Sequence, residues 1–499
     1  MMSLQLLQKL RLHAKRQGDR PAIRQVIPAD GRTPLTWSHL LNQVDTLSSA
    51  LHKRLPAGGI LMLCSQNRAD YTTVFLAALA ANLTVFPIAP DIAPPELLSA
   101  AGRAGAAAIL SIAQPTISTS GAFAGSAAFP EAGPDALLHT RPRWPLSAAH
   151  GPALLLLSSG TTGQPRIVRR DGPSLDAVSA NMAQAVGFTA RDQVLAAVPL
   201  CHSYGLEHGL LAPVWAGSTM QLFDRFDLNA ALAVLSDDQG SGATIFPGVP
   251  FMFEMLCAER ERGISLPDLR RAYSAGGPLP RTLYELMERK FGVRVSQLYG
   301  ATEIGSVTYN DPDVAPFDPA SVGRPMAGVS IRILDPANPQ IAHPLHTGAD
   351  GHVAVAAPSM LSGYVDGDPP PLLDGHFLTG DLGRLDPSGS LTITGRIKLL
   401  IDIGGRKVNP LEVEQAIAGH PAVGECVVVP IRIGQTLNRL RAVLAPARAG
   451  ETVDVRELRA YLRGRLSAYK IPRVFEVRAT LPRSPAGKIL RAEVEREQK

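Results

Sequence analysis

The run Ser158-Ser-Gly-Thr-Thr-Gly-Gln-Pro-Arg166 follows directly on the apolar stretch Ala153–Leu157. Two glycines, Gly160 and Gly163, let the backbone curl so that its N–H groups converge on an anion. The hydroxyls of Ser158, Ser159, Thr161 and Thr162 add donors, and Arg166 adds a fixed positive charge. The segment reads as a phosphate cradle at the carboxyl end of a buried strand, where ligand loops of α/β sheets lie. No Gly-Lys-Ser/Thr follows at the spacing of a Walker loop, so that motif is excluded. A flexible Ser/Gly turn is the structural alternative.

Working outward, the chain alternates short apolar runs with helical patterns. Leu40, Leu41, Val44, Leu47 and Leu51 recur at helical spacing, which predicts a helix over Leu40–Leu51 with one buried face. Leu61–Cys64 predicts a strand and Tyr71–Ala81 a further helix. Ala153–Leu157, Val194–Ala197, Ala243–Phe246 and Val293–Leu298 read as buried strands, each followed by Gly or Pro and then a more helical stretch. This βαβ rhythm predicts parallel sheets with helices packed on them. Between Gly102 and Gly151 small residues blur the pattern, leaving a loosely patterned part of the core and a surface loop both open. Beyond Val353 come shorter strands, with a hairpin signal at Asp386-Pro-Ser-Gly389. After Gly395-Arg396 the expected elements are a helix (Pro410–Ala418), two strands (Glu425–Pro430, Arg439–Ala445), a helix (Val455–Leu466) and a strand (Val474–Val477). The expected architecture is a large α/β N-terminal domain, 1–395, and a small α+β C-terminal domain, 396–499.

Composition bounds the function. A chain of 499 residues is too long for one hydrophobic core. Hydrophobic residues are 45% and charged residues 19%, which excludes general disorder. A net charge of +5 is small over this length and points to no nucleic-acid partner, though it suits an anionic small molecule. Cys64, Cys201, Cys257 and Cys426 are dispersed, which excludes a disulfide framework or a zinc site. Charges interrupt the apolar residues of the N-terminus, and Asn82 and Pro87 break the most apolar stretch, Val74–Ile88. Neither a signal peptide nor a membrane span is expected, and a cytoplasmic protein is the expected class.

Further motifs follow the phosphate cradle in order: Gln297-Leu-Tyr-Gly-Ala-Thr-Glu303, Thr379-Gly-Asp381, Gly395-Arg-Ile-Lys398, Gly404-Gly405 with Pro410 and Glu412, and Leu481-Pro-Arg-Ser-Pro-Ala-Gly-Lys488. Together with Ser158–Arg166 this set resembles the signatures of the adenylate-forming superfamily, closest to its acyl- and aryl-CoA synthetases. The resemblance implies that ATP and a carboxylic acid form an acyl-adenylate, after which a thiol displaces AMP. CoA is the first choice of thiol; a phosphopantetheinyl acyl carrier protein, an amine or oxygen acceptor, and a silent nucleotide- or acyl-binding protein are the alternatives.

The resemblance assigns roles residue by residue. Gln297, Tyr299 and Gly300, with Gly276 and Gly277, would sit at the nucleotide, and Asp381 would accept from the ribose hydroxyls. Thr302 and Glu303 would act at the reacting phosphate, with Glu303 holding Mg²⁺, a hard cation that takes carboxylate and phosphate oxygens together. Lys488 would stabilise charge developing on the carboxylate and α-phosphate oxygens. Arg396 would lie beside the nucleotide, and Lys398 would be the hinge between two orientations of a mobile C-terminal domain. His202, Gly248, Ala275 and Gly300 would serve the acid, and Gly404 and Gly405 the thiol path. His202 stands where amino-acid adenylation domains have an Asp for the substrate ammonium, so fatty and aromatic acids are favoured over α-amino acids. Arg406, Lys407 and Lys470 offer charge either to a phosphate-bearing acceptor or to a plain solvated face. Two departures from the family pattern are Arg166, usually Lys, and Leu399, often Asp.

Overall fold

The apolar spacing at Leu40–Leu51 produces a longer helix, Trp37–Arg54. Thr36 starts it by accepting from the His39 N–H at 3.3 Å, and Lys53 and Arg54 place positive charge in its last turn, where the helix dipole favours it. Trp37, Leu40, Val44, Leu47 and Leu51 form its buried stripe, packed into a core with Tyr71, Phe75 and Phe129. The computed structural model describes residues 4–27, 33–113, 123, 125–141, 151–158, 165–237, 239–259, 264–277, 279–336, 342–367, 369–397, 401–404, 406–408, 410–433, 437–448, 450–482 and 491–496. The chain divides into two compact units: residues 1–90, 101–157 and 167–397, and residues 91–100, 158–166 and 398–499.

The first unit is built on two large mixed sheets and a smaller antiparallel one. In one large sheet Ile60–Cys64 pairs in parallel with Thr84–Ile88 and Ala108–Ile112, and Thr84–Ile88 with Ala153–Ser158. All five residues of the first three strands are buried, as parallel strands covered on both faces must be. The ambiguous Gly102–Gly151 region divides along the same lines. Ala108–Ile112 is a core strand, and Gly125–Ala128 and Ala136–Thr140 extend the sheet antiparallel beside it. Its weak pattern has two sources: Ala108–Ile112 is buried throughout, and residues 126–128 are small and exposed, so neither strand alternates.

The other large sheet runs through Gln193–Ala196, Ile245–Gly248, Arg271–Ser274 and Val295–Ala301, all parallel, and turns antiparallel at Gly305–Tyr309. Ser330–Leu334, Gly351–Ala356, His376–Leu385 and Leu391–Arg396 make the antiparallel sheet. The expected hairpin lies at Asp386, whose N–H donates to the Ser390 carbonyl at 3.0 Å and whose carbonyl accepts from the Gly389 N–H at 3.0 Å.

In the second unit Val423–Ile433 pairs antiparallel with Leu437–Pro446, which pairs in parallel with Val474–Val477. Val413, Ile417, Val428, Leu440, Leu458 and Leu462 fill its core. The helix expected to reach Leu466 ends at Arg463, with the Gly464 N–H donating to the Leu462 carbonyl. Asp454 starts that helix by accepting from the Arg456 and Glu457 N–H groups.

Lys470 belongs to neither of the two settings expected for it. It is 7% exposed, with Nζ 2.6 Å from Glu412 and 3.2 Å from Glu96. Burial alone would pull its ammonium down, but Tyr469, Glu412 and Glu96 outweigh that and hold it above its usual value. Its charge is committed to two carboxylates. Replacing Lys470 by Met strands both of them and should cost the second unit about 3–5 kcal/mol; an unchanged urea midpoint for this unit would contradict the assignment.

Candidate active site

Parallel pairing puts the carboxyl ends of Gln193–Ala196, Ile245–Gly248, Arg271–Ser274 and Val295–Ala301 at one edge, in that spatial order. The loop after the first reaches His202, the second ends in Gly248, the third leads into Ala275, Gly276 and Gly277, and the fourth carries Gly300 into Thr302 and Glu303. Residues scattered over a hundred positions of sequence are gathered by strand direction alone.

The floor of this edge is held by backbone bonds. The Ala275 N–H donates to the Gly248 carbonyl at 3.4 Å, and the Tyr204 hydroxyl donates to the same carbonyl at 3.0 Å and to that of Tyr273 at 3.3 Å. A side chain at 248 would stand 2.7 Å from the Phe253 ring, so only glycine fits there. The Gln297 amide is committed at both ends: its oxygen accepts from the Leu279 N–H at 2.9 Å and its nitrogen donates to the Pro319 carbonyl at 2.6 Å. It braces the loop that follows Arg271–Ser274.

Tyr299 and Asp381, read from separate motifs, meet directly, with the Tyr299 hydroxyl donating to Asp381 Oδ2 at 2.6 Å. The Asp381 turn is secured by the Thr379 hydroxyl, which accepts from the Asp381 N–H at 3.1 Å, and by His352, whose Nε2 accepts from the Gly380 N–H at 2.9 Å. Burial holds the His352 imidazole below its usual value, against the pull of Asp381, consistent with an acceptor nitrogen. Thr302 and Glu303 are half-buried in the turn of the hairpin. The Glu303 carbonyl accepts from the Leu361 N–H at 2.7 Å, and Oε1 lies 3.4 Å from the Tyr364 hydroxyl. Among the described residues no cluster of three His, Cys, Asp or Glu could hold a metal. One half-buried carboxylate suits Mg²⁺, which is commonly held by one or two carboxylates plus substrate phosphates.

Beneath the hairpin lies a polar network that motif reading missed. Arg170 and Glu207 are 0% and 1% exposed, with Nη1 2.5 Å from Oε1. Glu207 Oε1 also accepts from the Ser203 hydroxyl at 2.7 Å, and Oε2 accepts from the Ser306 N–H at 2.9 Å and the Ser306 hydroxyl at 2.7 Å. His208 continues the chain, with Nε2 2.9 Å from Ser306 Oγ and Nδ1 3.0 Å from the Tyr273 hydroxyl. Burial alone would raise the Glu207 carboxyl, but Arg170 and hydrogen bonds from Arg170 and Ser306 hold it below the usual value. Burial drives His208 down to about 4, against Glu207. Because the Ser306 hydroxyl donates to Glu207, the neutral imidazole is assigned a proton on Nε2, and Nδ1 accepts from Tyr273. The available sequence signal was Glu207, set in the largely apolar run 206–211; Arg170 stands in the charged run Arg169-Arg170-Asp171, which carries no such signal.

Ser158 ends its strand and is 6% exposed; Arg166, half-buried, begins Arg166–Asp171. Gly404 occupies a turn in the second unit with φ +60°. Ser159, Gly160, Thr161, Thr162, Gly163, Lys398, Leu399, Gly405, Lys488 and the Arg396 side chain lie outside the described residues. No described helix is long and apolar enough to cross a membrane.

His208 makes stability depend on pH. Its folded value of about 4 lies below the ordinary 6.5, so between these the unfolded chain takes a proton that the folded chain refuses. Stability therefore falls as pH drops, by on the order of 2 kcal/mol between pH 7 and pH 5 from this group. Urea midpoints across that range should flatten in His208→Gln, and an unaltered slope would refute the buried neutral state.

Comparison with known proteins agrees with the motif reading. The AMP-binding enzyme family matches residues 10–365, and the AMP-binding enzyme C-terminal domain matches residues 412–488. A feruloyl-CoA synthase of Amycolatopsis sp is 28% identical over 480 residues, covering 93% of this chain and 94% of that protein. An oxalate–CoA ligase of Arabidopsis thaliana is 27% identical over 495 residues, covering 94% of each. A solved structure of a double mutant of o-succinylbenzoate CoA synthetase from Bacillus subtilis matches with a TM-score of 0.83 at 24% identity and 98% coverage of each chain, which shows the shared fold. With its motifs in family order and most of its length matched, the chain belongs to the AMP-binding enzyme family.

Proposed function

We propose that this protein is an AMP-forming acid–thiol ligase: ATP and a carboxylate give acyl-AMP and pyrophosphate, and the CoA thiol then displaces AMP to give the thioester. The observation that carries the reading is the gathering of His202, Gly248, Ala275–Gly277 and Gly300–Glu303 on adjacent strand ends, with Asp381 bonded to Tyr299 of the same motif set. An acid and a nucleotide need such a shared edge, because two anions must be held at reacting distance against their repulsion.

In this reading Asp381 accepts from the ribose and Tyr299 flanks the adenine, so their mutual hydrogen bond joins the two halves of the nucleoside site. Gly276 and Gly277 complete the nucleotide side, their loop braced by Gln297, with Ser158, Ser159, Gly160, Thr161, Thr162, Gly163 and Arg166 as donors to the phosphates and Arg396 beside them. Thr302 donates to the phosphate. Glu303 would hold Mg²⁺, which when bound offsets phosphate charge. Lys488 stabilises the charge that develops as the carboxylate attacks, in the manner of donors aimed at the transition state. His202, Gly248, Ala275 and Gly300 face the acid, and Gly404 and Gly405 the thiol. Lys398 is the pivot between residues 1–395 and 396–499, allowing the small domain to serve both steps. CoA as acceptor is supported by the two curated relatives, both CoA ligases by name; the reading places the enzyme in the cytoplasm, where ATP and CoA are both present.

The test is pyrophosphate release with ATP and Mg²⁺ over a panel of aryl, fatty and dicarboxylic acids, with and without CoA, products identified by mass. One acid converted to its CoA thioester is the expected result. Acyl-AMP accumulating without thioester would move the acceptor to a carrier protein, and no pyrophosphate with any acid would overturn the ligase reading. Lys488→Ala should lower acyl-adenylate formation by about 100-fold or more while ATP still binds; undiminished pyrophosphate release would remove Lys488 from the chemistry. Tyr299→Phe deletes one hydrogen bond to a charged group and should raise KM for ATP about tenfold, and an unchanged KM would detach this pair from the nucleotide.

A further inference from the structure

Arg170 lies on the strand Arg166–Asp171, which leaves the phosphate-cradle segment. Glu207 lies five positions after His202, at the start of a wide helical turn, Glu207–Leu211, of the π type that recurs at functional sites. Ser306 lies three positions after Glu303, on the return strand Gly305–Tyr309 of the hairpin. One carboxylate thus joins three segments that carry reacting groups, accepting four hydrogen bonds from Arg170, Ser203 and the N–H and hydroxyl of Ser306. The hairpin is shaped to receive it: Gly305 has φ +71°, and a side chain there would stand 2.8 Å from Arg170 Nη2.

Stability alone does not account for this arrangement. A buried ion pair is a weak stabiliser compared with apolar residues of the same volume, because both charges lose their hydration. Among the described residues, Arg170 Nε and Nη2, both buried, have no hydrogen-bond partner, a further cost that an apolar filling would avoid. What the pair supplies is direction. A carboxylate with all four lone-pair positions used can hold Ser306 in only one orientation relative to Arg170 and Ser203.

We infer that Arg170, Glu207 and Ser306 form a positioning clamp, setting the Thr302–Glu303 turn against the His202 segment and the strand from the phosphate cradle. They touch no substrate; they act through the residues they align. The inference rests on the ligase reading for its consequence in turnover, while its structural content is independent of that reading. A clamp of this kind holds reacting groups at attack distance, so its loss lowers kcat of acyl-adenylate formation more than it raises either KM.

The test uses the full chain. Because a single change leaves one charge buried and unpaired, the principal variant is Arg170→Met combined with Glu207→Gln, which removes both charges with little change of volume. Ser306→Ala severs the hairpin side alone, and Arg170→Lys keeps charge without the planar fork. In the double variant and Ser306→Ala, hydrogen exchange of the amides of residues 301–306 should quicken at least tenfold while the neighbouring core strands stay protected. With an acid that the wild type activates, kcat for adenylate formation should drop at least tenfold with KM for ATP and acid within threefold, and Arg170→Lys should recover part of it. Unchanged exchange at 301–306 overturns the clamp whatever the activity. Quickened exchange with wild-type kcat overturns its catalytic consequence. If the wild type itself activates no acid, the ligase reading fails, and the exchange result still decides the clamp.

Discussion

Strands that pair in parallel must all end on the same side, and the positions of His202, Gly248, Ala275–Gly277 and Gly300 follow from that constraint. Gln193–Ala196, Ile245–Gly248, Arg271–Ser274 and Val295–Ala301 pair in parallel, so the segments that follow them leave one edge. The chain then reverses tightly: Gly305–Tyr309 returns antiparallel to Val295–Ala301, which lifts Thr302 and Glu303 onto a turn instead of sending them into another crossover. At this edge Gly276 and Gly300 are exposed, while Gly248 is buried against the Phe253 ring.

Polar groups enclosed by this scaffold are arranged in directed chains. From the Tyr273 hydroxyl through His208 and Ser306 to Glu207, each donor has one acceptor, and the chain ends on a cation, Arg170. Such a chain works only if the imidazole is neutral, and burial ensures this by pushing His208 down to about 4. In the second unit Lys470 plays the converse part, a buried cation shared by two carboxylates. In both places charge is enclosed with its counter-charge, because an unpaired buried ion costs far more than the pair.

Much of this was legible beforehand. The Trp37–Arg54 helix, the strands at Ile60–Cys64 and Val474–Val477 and the Asp386 hairpin were readable because local spacing and turn chemistry determine them. The family motifs were readable because each is a short run of particular residue types, and they follow one another in the family's order. The Gly102–Gly151 region was not, since Ala108–Ile112 is buried throughout and residues 126–128 are exposed throughout, and neither strand carries alternation. Lys470 was read only as available or solvated charge, because its partners Glu412 and Glu96 lie 58 and 374 positions away.

The sequence by itself therefore determined the family and the order of its motifs, both properties of residue type and short spacing. Only the tertiary structure decided which side chains meet, and it alone brought out Arg170, Glu207 and Ser306. Tyr299 and Asp381 stand 82 positions apart, Arg170 and Glu207 37, and Glu207 and Ser306 99. These contacts depend on strand order and on which face each side chain takes. Neither is encoded in any local window, since a one-residue change of register would turn the same residues to the opposite face.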